Sequence, residues 1–134
     1  MSFLIDTNVV IHLRDGDQHV SRKMADLAAL PVIAMITRIE LENGLYRDPE
    51  LADVLKPNLA AILHRIQVVD FGELEFAAYR AILEQVGFSK RKVLDRMIAV
   101  TALAHDLTMI TMNGKDFRDV PGLKLVEWET PEAA

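Results

Sequence analysis

Four acidic side chains fall where a sheet protein could bring them together, although they lie far apart in the sequence. Three of them follow apolar runs that predict strands: Asp6 follows 3–5, Glu40 lies four residues beyond 31–36, and Asp116 follows 107–111. The fourth, Asp95, lies in the first turn of a helical segment. Open parallel sheets bind ligands beyond the carboxyl ends of their strands. We therefore expect the four carboxylates to converge at one edge of a sheet.

Such a convergence predicts a hard oxygen site, because carboxylates without Cys or His partners suit Mg²⁺ or Mn²⁺. Unpaired acids repel one another and raise some of their pKa values, and a divalent ion removes that repulsion. The same ion can activate water and stabilise the charge on a phosphodiester. We therefore expect the four acids to be both catalytic and metal-binding, with Mg²⁺ as the cofactor and Mn²⁺ as a substitute.

Each acid also has a purely structural interpretation. Glu40 follows Thr37 by three residues, which is a capping-box pattern. Asp95 could complement a helix dipole, Asp6 could bond its own turn, and Asp116 could begin a short helix. The common alignment with strand ends favours a site, and an acid in a first helical turn can cap the helix and bind a metal at once.

A basic cluster surrounds Asp95. Four of the 15 basic residues fall within seven positions: Lys90, Arg91, Lys92 and Arg96. A solvated loop would explain them. Beside a metal site, however, such a patch could hold phosphates and position a nucleic-acid strand.

Short apolar runs alternate with helical segments along the chain. The runs predict strands at 3–5, 31–36, 66–71, 107–111 and 123–128. Helical spacing predicts helices at 9–13, 18–30, 37–44, 49–65, 73–86 and 93–106, with Gly44 as a stop and Pro57 able to kink or divide the fourth. This alternation favours an α/β fold with a central parallel sheet of about four to five strands and helices on both faces.

Length and composition limit the function. The 134 residues fit one domain, which we place at 1–130, followed by a flexible tail at 131–134. The absence of cysteine excludes disulfides, thiolate–zinc sites and thiol catalysis, and suits a reducing cytoplasm, where we expect the protein. No apolar run approaches the ~20 residues of a membrane span. A net charge of −5 argues against nucleic-acid binding by bulk charge, so a local patch or bound metal must do it.

Four motifs in chain order resemble those of the PIN-domain ribonucleases. They are Leu4-Ile5-Asp6-Thr7-Asn8-Val9, the E-L-x-x-G of 36–44, the D-x-x-I-A of 95–99, and the T-x-N-x-x-D/E-F of 110–117. The ending 120–128 is similar to that family's last strand, whereas Val100 stands where a second small residue is usual. Over nearly the whole chain, the order and spacing resemble the VapC toxins of bacterial VapBC toxin–antitoxin systems.

The resemblance implies a single PIN domain that cleaves RNA as a Mg²⁺-dependent endoribonuclease. Asp6 and Asp95 would be the main metal ligands, and Glu40 and Asp116 would complete the site directly or through water. The groups that orient carboxylates, waters or phosphate would be Thr7, Asn8, Thr111 and Asn113. The basic residues that bind RNA near the cut would be Lys90, Arg91, Lys92 and Arg96.

The resemblance also implies partners. They are a second copy of the chain in a homodimer, a cognate VapB-type antitoxin that blocks the acidic site, and operator DNA bound only through that antitoxin. The substrate would be RNA, with transfer RNA a candidate, and no membrane is implied.

Other classes of protein are alternatives. A non-catalytic binding module that regulates through its partner is the main alternative, and a missing acid would have favoured it, but none is missing. A phosphoryl-transfer receiver needs an acidic pair after its first strand, where Asp6 stands alone. The D-x-D-x-T pattern of phosphatases fails at Asn8.

Overall fold

A computed structural model describes residues 2–131, in which five short strands alternate with six helices. The strands are β1 (Phe3–Ile5), β2 (Ile33–Ala34), β3 (Val68–Val69), β4 (Thr108–Thr111) and β5 (Leu125–Glu127). The helices are α1 (Thr7–Arg14), α2 (Gln18–Ala25), α3 (Met35–Arg47), α4 (Pro49–Arg65), α5 (Glu73–Val86) and α6 (Val93–Ala104). Two short 3₁₀ turns, Lys90–Lys92 and Gly114–Phe117, precede α6 and follow β4.

The strands pair in parallel throughout. One ladder has the order β1-β4-β5 and the other pairs β2 with β3. A parallel bridge between Leu4 and Val32 joins the two ladders, with the Val32 amide donating to the Phe3 carbonyl at 2.9 Å. The combined order is β3-β2-β1-β4-β5. The predicted parallel α/β fold is therefore confirmed, with its five strands divided between two ladders.

Helices cover both faces of the sheet. Successive strand residues point to opposite sides, so each face has its own core. Ile5 and Ile110 pack into one core with residues of α1, α2, α3 and α4. Leu4 and Met109, their neighbours in sequence, pack into a second core with residues of α5 and α6. A strand buried on both faces reads as a continuous apolar run, which is why periodicity alone could not assign these segments.

Several predicted boundaries are wrong, including those of the strand placed at 66–71, which is limited to Val68–Val69. The strand placed at 31–36 is limited to Ile33–Ala34, and α3 begins at Met35 and continues past Gly44 to Arg47. Leu45, one residue beyond Gly44, is buried in the first core, and that burial outweighs the cost of about 1 kcal/mol for glycine inside a helix. The helix placed at 18–30 ends at Ala25.

The helix placed at 49–65 matches α4, and Pro57 does not divide it. Proline leaves the carbonyl four residues earlier, that of Asp53, without its helical hydrogen bond. Both residues are exposed, so water can bond that carbonyl instead. No helix within 2–131 is long and apolar enough to cross a membrane. The tail predicted at 131–134 lies, beyond Pro131, outside the described residues.

Candidate active site

The fold brings the four predicted acids together at the carboxyl end of the sheet. Asp6 directly follows β1, Asp116 lies in the 3₁₀ turn after β4, and Asp95 is in the first turn of α6. Glu40 is the sixth residue of α3, one turn deeper in its helix than expected. The charges of Asp6, Asp116 and Glu40 all raise the pKa of Asp95. The four carboxyl groups therefore form one electrostatic unit.

Asp6 is buried and ends β1 by capping the next helix. Its Oδ1 accepts from the Thr7 amide at 2.8 Å, and its Oδ2 accepts from the Thr111 hydroxyl at 2.8 Å. Burial raises the pKa of Asp6 to about 6, the two hydrogen bonds oppose that rise, and the charges of Glu40 and Asp116 add to it. Asp6 therefore does bond its own turn, as its structural interpretation states. Capping does not explain why other acidic side chains lie near Asp6.

Asp95 is half-buried and has acidic neighbours from three other segments. Burial is the largest cause that raises its pKa to about 6, followed by the charges of Asp6, Asp116 and Glu40. Lys92 lowers the pKa of Asp95 but does not outweigh them. Removing water and adding like charges both disfavour the ionised form. A bound cation would favour the ionised form and so offset both effects.

Glu40 is held by a hydroxyl from another element. Its Oε1 lies 2.7 Å from the Thr7 hydroxyl at the start of α1, and that hydroxyl lies 3.0 Å from the hydroxyl of Thr37. The capping-box interpretation of Thr37 and Glu40 is wrong, because α3 begins two residues before Thr37 and its N-cap residue is Ala34. Glu40 is fixed by tertiary contact rather than by its own helix end.

Asn113 and Thr111 connect Asp116 to Asp6. The Asn113 side-chain amide donates to Asp116 Oδ2 at 2.5 Å, and the Asn113 backbone amide donates to the Thr111 hydroxyl at 3.1 Å. Thr111 is fully buried, and its hydroxyl donates a hydrogen bond to Asp6 Oδ2. Thr7, Thr111 and Asn113 thus each form a hydrogen bond to one of the acids, and their role in orienting carboxylates, waters or phosphate stays a prediction. Asn8 forms no side-chain hydrogen bond to these acids among residues 2–131, and its buried Oδ1 has no hydrogen-bond partner in that range.

The donor set fits a hard divalent cation. All four groups are carboxylates, two of them have a pKa raised to about 6 by burial and mutual repulsion, and a buried amide oxygen of Asn8 is left unpaired. Within 2–131, no three His, Asp or Glu side chains are close enough to hold one ion together. Mg²⁺ retains several waters and is typically held by one or two carboxylates, so two direct ligands are compatible with these positions.

The basic cluster divides into two parts. Lys90 and Arg91 are exposed. Arg96 is buried, and it donates from Nη1 to the Gly87 carbonyl at 2.7 Å and from Nη2 to Asp119 Oδ2 at 2.8 Å. Lys92 lies 3.2 Å from the other oxygen of Asp119. The structure therefore does not present Lys92 and Arg96 as free cations beside Lys90 and Arg91.

Two residues that organise the site were missed by sequence reasoning. Asp119 holds Arg96, and Thr37 contacts Thr7 from a fully buried position. Thr37 lies in the quoted second motif, so its position was visible although its contact was not. Nothing in the sequence signals the pairing of Asp119, because Arg96 is 23 residues away.

The fold and the acidic edge together define the chain's family. The family model of the PIN domain matches residues 3–123, nearly the whole chain, and the protein belongs to the PIN domain family. The predicted resemblance is confirmed by this match.

Named relatives match nearly the whole length of the chain. Ribonuclease VapC2 of Rickettsia felis is 26% identical, over 96% of this chain and 99% of its own. The tRNA(fMet)-specific endonuclease VapC of Salmonella typhimurium is 27% identical, over 96% of this chain and 98% of its own. The crystal structure of VapBC2 from Rickettsia felis, bound to a DNA fragment from its promoter, superposes with a TM-score of 0.83 at 25% identity, covering 96% of this chain and 100% of that one.

Proposed function

We propose that this PIN-domain chain is the toxin of a VapBC-type toxin–antitoxin pair and an endoribonuclease that hydrolyses RNA phosphodiester bonds. The observation that carries the proposal is the convergence of Asp6 and Asp95, whose pKa values are both raised to about 6 in a cluster of four acids. Relatives named as VapC ribonucleases, matched over almost their whole length, support the same activity. We place the single domain at residues 1–130.

Asp6 and Asp95 would hold a divalent ion, Mg²⁺ with Mn²⁺ as a substitute. When bound, such an ion supplies an activated water and stabilises negative charge on the phosphodiester. The protein's part is to fix the carboxylates. Asp6 receives one hydrogen bond on each oxygen, so its orientation is set from both sides. Charge repulsion at this edge of the sheet makes a cation the natural occupant.

Glu40 and Asp116 are suited to act through water. Each has one oxygen bonded to a neighbouring side chain, Oε1 of Glu40 to Thr7 and Oδ2 of Asp116 to Asn113. The second oxygen of each receives no hydrogen bond from the described residues and can accept one from a water. Bonded carboxylates of this kind orient the groups around a metal ion. Asn8 would contribute its unpaired buried oxygen in the same way.

RNA contact is proposed for the exposed part of the basic cluster. Lys90 and Arg91 lie in the 3₁₀ turn that leads into α6, five and four residues before Asp95. Exposed cations there can bind the phosphates that flank the scissile bond. The effect of Lys92 and Arg96 on RNA would be indirect, because both cations are paired with Asp119.

The substrate and partners follow from the relatives. Because one relative is named a tRNA(fMet)-specific endonuclease, transfer RNA is the first substrate to test. A related toxin–antitoxin complex was crystallised on its promoter DNA, and we propose the same arrangement here: a VapB-type antitoxin that blocks the acidic site and carries the complex to operator DNA. A homodimer and a cytoplasmic location complete the proposal.

The test is cleavage of total cellular RNA and of purified transfer RNA by the antitoxin-free protein. Reactions with Mg²⁺, with Mn²⁺ and with EDTA are compared for the wild type, for Asp95→Asn, and for Asp106→Asn as a matched control. Asp106 is an exposed acid whose partner is Lys124, away from the cluster. We expect discrete fragments that require metal and Asp95, with Asp106→Asn equal to wild type.

Two results would overturn the assignment. Equal cleavage by wild type and Asp95→Asn would exclude the acidic cluster as the active site. If the folded, metal-loaded, antitoxin-free wild type cuts neither RNA, the alternative of a non-catalytic module that works through its antitoxin is favoured. Mapping the fragment ends identifies the RNA and the cleavage site.

A further inference from the structure

A three-oxygen chain runs from the interior of the protein to the acidic cluster. The hydroxyl of Thr37 lies 3.0 Å from that of Thr7, which lies 2.7 Å from Oε1 of Glu40. Thr37 is fully buried, and its hydroxyl has no other hydrogen-bond partner among residues 2–131. Thr7 is the first residue of α1, whereas Thr37 and Glu40 belong to α3. The chain therefore links two separate helices.

The number of protons determines the direction of the hydrogen bonds. Each threonine hydroxyl has one proton, and an ionised carboxylate has none. If Thr7 gave its proton to Thr37, two oxygens without a proton between them would face each other at 2.7 Å, and the buried proton of Thr37 would have no acceptor. An unmade hydrogen bond in a buried position is costly. Thr37 must therefore donate to Thr7, and Thr7 to Glu40.

We propose that Thr37 is a positioning residue for the nuclease site and that it acts by committing the Thr7 proton to Oε1 of Glu40. Thr37 touches neither substrate nor metal in this proposal. It fixes which oxygen of Glu40 is bonded to protein, so Oε2 is the oxygen that receives no hydrogen bond from residues 2–131. The inference rests on the proposed nuclease function and adds to it a residue that no acidic motif would select.

The chain offers a matched control. Thr101 is also a fully buried threonine within a helix, but its hydroxyl donates to the carbonyl of Met97 in the same helix, at 2.8 Å. Replacing either threonine by valine removes one hydroxyl from a buried position and keeps a branched side chain. Any general cost of the substitution is therefore measured by Thr101→Val.

The experiment compares wild type with four single variants and one double variant as antitoxin-free proteins. The single variants are Thr37→Val, Thr37→Ser, Thr101→Val and Thr7→Val, and the double variant combines Thr7→Val with Thr37→Val. Three quantities are measured: kcat and KM for RNA cleavage, the Mg²⁺ concentration for half-maximal rate, and Mn²⁺ affinity by titration calorimetry without RNA. Groups that support metal ligands typically contribute 10- to 100-fold to activity or affinity. We expect Thr37→Val to lower kcat or Mn²⁺ affinity at least about tenfold, with KM for RNA unchanged.

Serine retains the donor, so Thr37→Ser should recover most of the loss, and Thr101→Val should match wild type. Because Thr37 acts through Thr7, the double variant Thr7→Val with Thr37→Val should lose no more than Thr7→Val alone. If Thr37→Val equals wild type, or falls only as far as Thr101→Val, the positioning role is wrong. If the wild type itself shows no metal-dependent cleavage, the proposed nuclease function has failed instead, which distinguishes the two.

Discussion

Arg96 and Asp119 form an ion pair that joins the two segments carrying Asp95 and Asp116. Arg96 follows Asp95 on α6, and Asp119 comes three residues after Asp116. Their side chains meet at 2.8 Å, with the arginine almost fully buried. Burial opposes the charge of Asp119, but the hydrogen bonds and charges of Arg96 and Lys92 outweigh it and lower its pKa. The cation that follows Asp95, the acid we propose as a metal ligand, is thus part of the scaffold of the candidate site.

Removing this ion pair should make the protein easier to unfold and should disturb the site. Asp119→Ala leaves the buried Arg96 without its acidic partner, and breaking a buried pair in this way typically costs about 3 kcal/mol. We expect a lower midpoint in urea unfolding and slower cleavage under conditions where the variant is still folded. Asp106→Ala removes an exposed pair with Lys124 and should change neither. An unchanged urea midpoint for Asp119→Ala would show that the pair contributes nothing.

Substitutions of the exposed cations and of the buried cation should have different effects on RNA binding and stability. Changing both Lys90 and Arg91 to Gln removes two exposed charges from the turn before Asp95. We expect a higher KM for RNA, a weaker dependence of KM on salt and unchanged stability, because each phosphate contact releases counterions on binding. Arg96→Gln should show the opposite pattern, with reduced stability and no change in salt dependence. If the double variant keeps the wild-type KM and salt dependence, the turn does not bind RNA.

The sequence was sufficient for the family, the fold and the class of activity, because these depend on local patterns. Alternating apolar runs and helices predicted the parallel sheet, and four motifs in order predicted the PIN domain and the VapC type of ribonuclease, all of which are confirmed. The convergence of Asp6, Glu40, Asp95 and Asp116 could be inferred because the carboxyl ends of parallel strands share one edge.

The partners of individual side chains could not be predicted. Arg96 has the same sequence neighbours whether it faces solvent or lies buried against Asp119, and only the tertiary fold decides between them. The start of α3 was misplaced for a related reason. Residues 31–36 are uniformly apolar because both cores need them, so their composition does not show where the strand ends and the helix begins.

The metal-free protein should lose stability as the pH rises from about 4 to 6. The pKa of Asp6 is 3.8 ordinarily and about 6 in the folded state, so the folded state holds more protons than the unfolded state in this range, and its stability falls as they dissociate. For Asp6, the rise in pKa lowers the free energy of unfolding by about 3 kcal/mol once the carboxyl group is ionised. Asp95 acts in the same direction. Urea unfolding of wild type and Asp6→Asn across this range measures the effect.

The Asn variant cannot ionise, so the difference in stability between variant and wild type should increase toward pH 7. Mg²⁺ should stabilise the wild type more at pH 7 than at pH 5, because it binds the ionised carboxylates. A wild-type stability that does not change relative to Asp6→Asn between pH 4 and pH 7 would contradict the raised pKa of Asp6.

Glu75 and His105 should contribute to stability without contributing to catalysis. The buried carboxylate of Glu75 accepts from the Gly72 amide at 2.8 Å and lies 2.6 Å from His105 Nε2, so it ties the start of α5 to the end of α6. The Gly72 hydrogen bond, opposed by burial and aided by His105, lowers the pKa of Glu75. Its stabilising effect is therefore present above the ordinary pKa of a glutamate and is lost as the pH falls through the lowered one.

Glu75→Gln should destabilise the protein by about 2 kcal/mol at pH 7, because hydrogen bonds to a charged group are lost. The deficit should shrink as the pH falls through the lowered pKa of Glu75, because the wild-type carboxylate then becomes protonated as well. Urea unfolding at pH 7 and near pH 3 measures both, and RNA cleavage at pH 7 should keep the wild-type kcat. Glu75 pairs with the end of α6 that is opposite Asp95. A fall in kcat of tenfold or more would mean that α6 transmits strain along its length. Glu75 would then contribute to catalysis as well as to stability, contrary to this prediction.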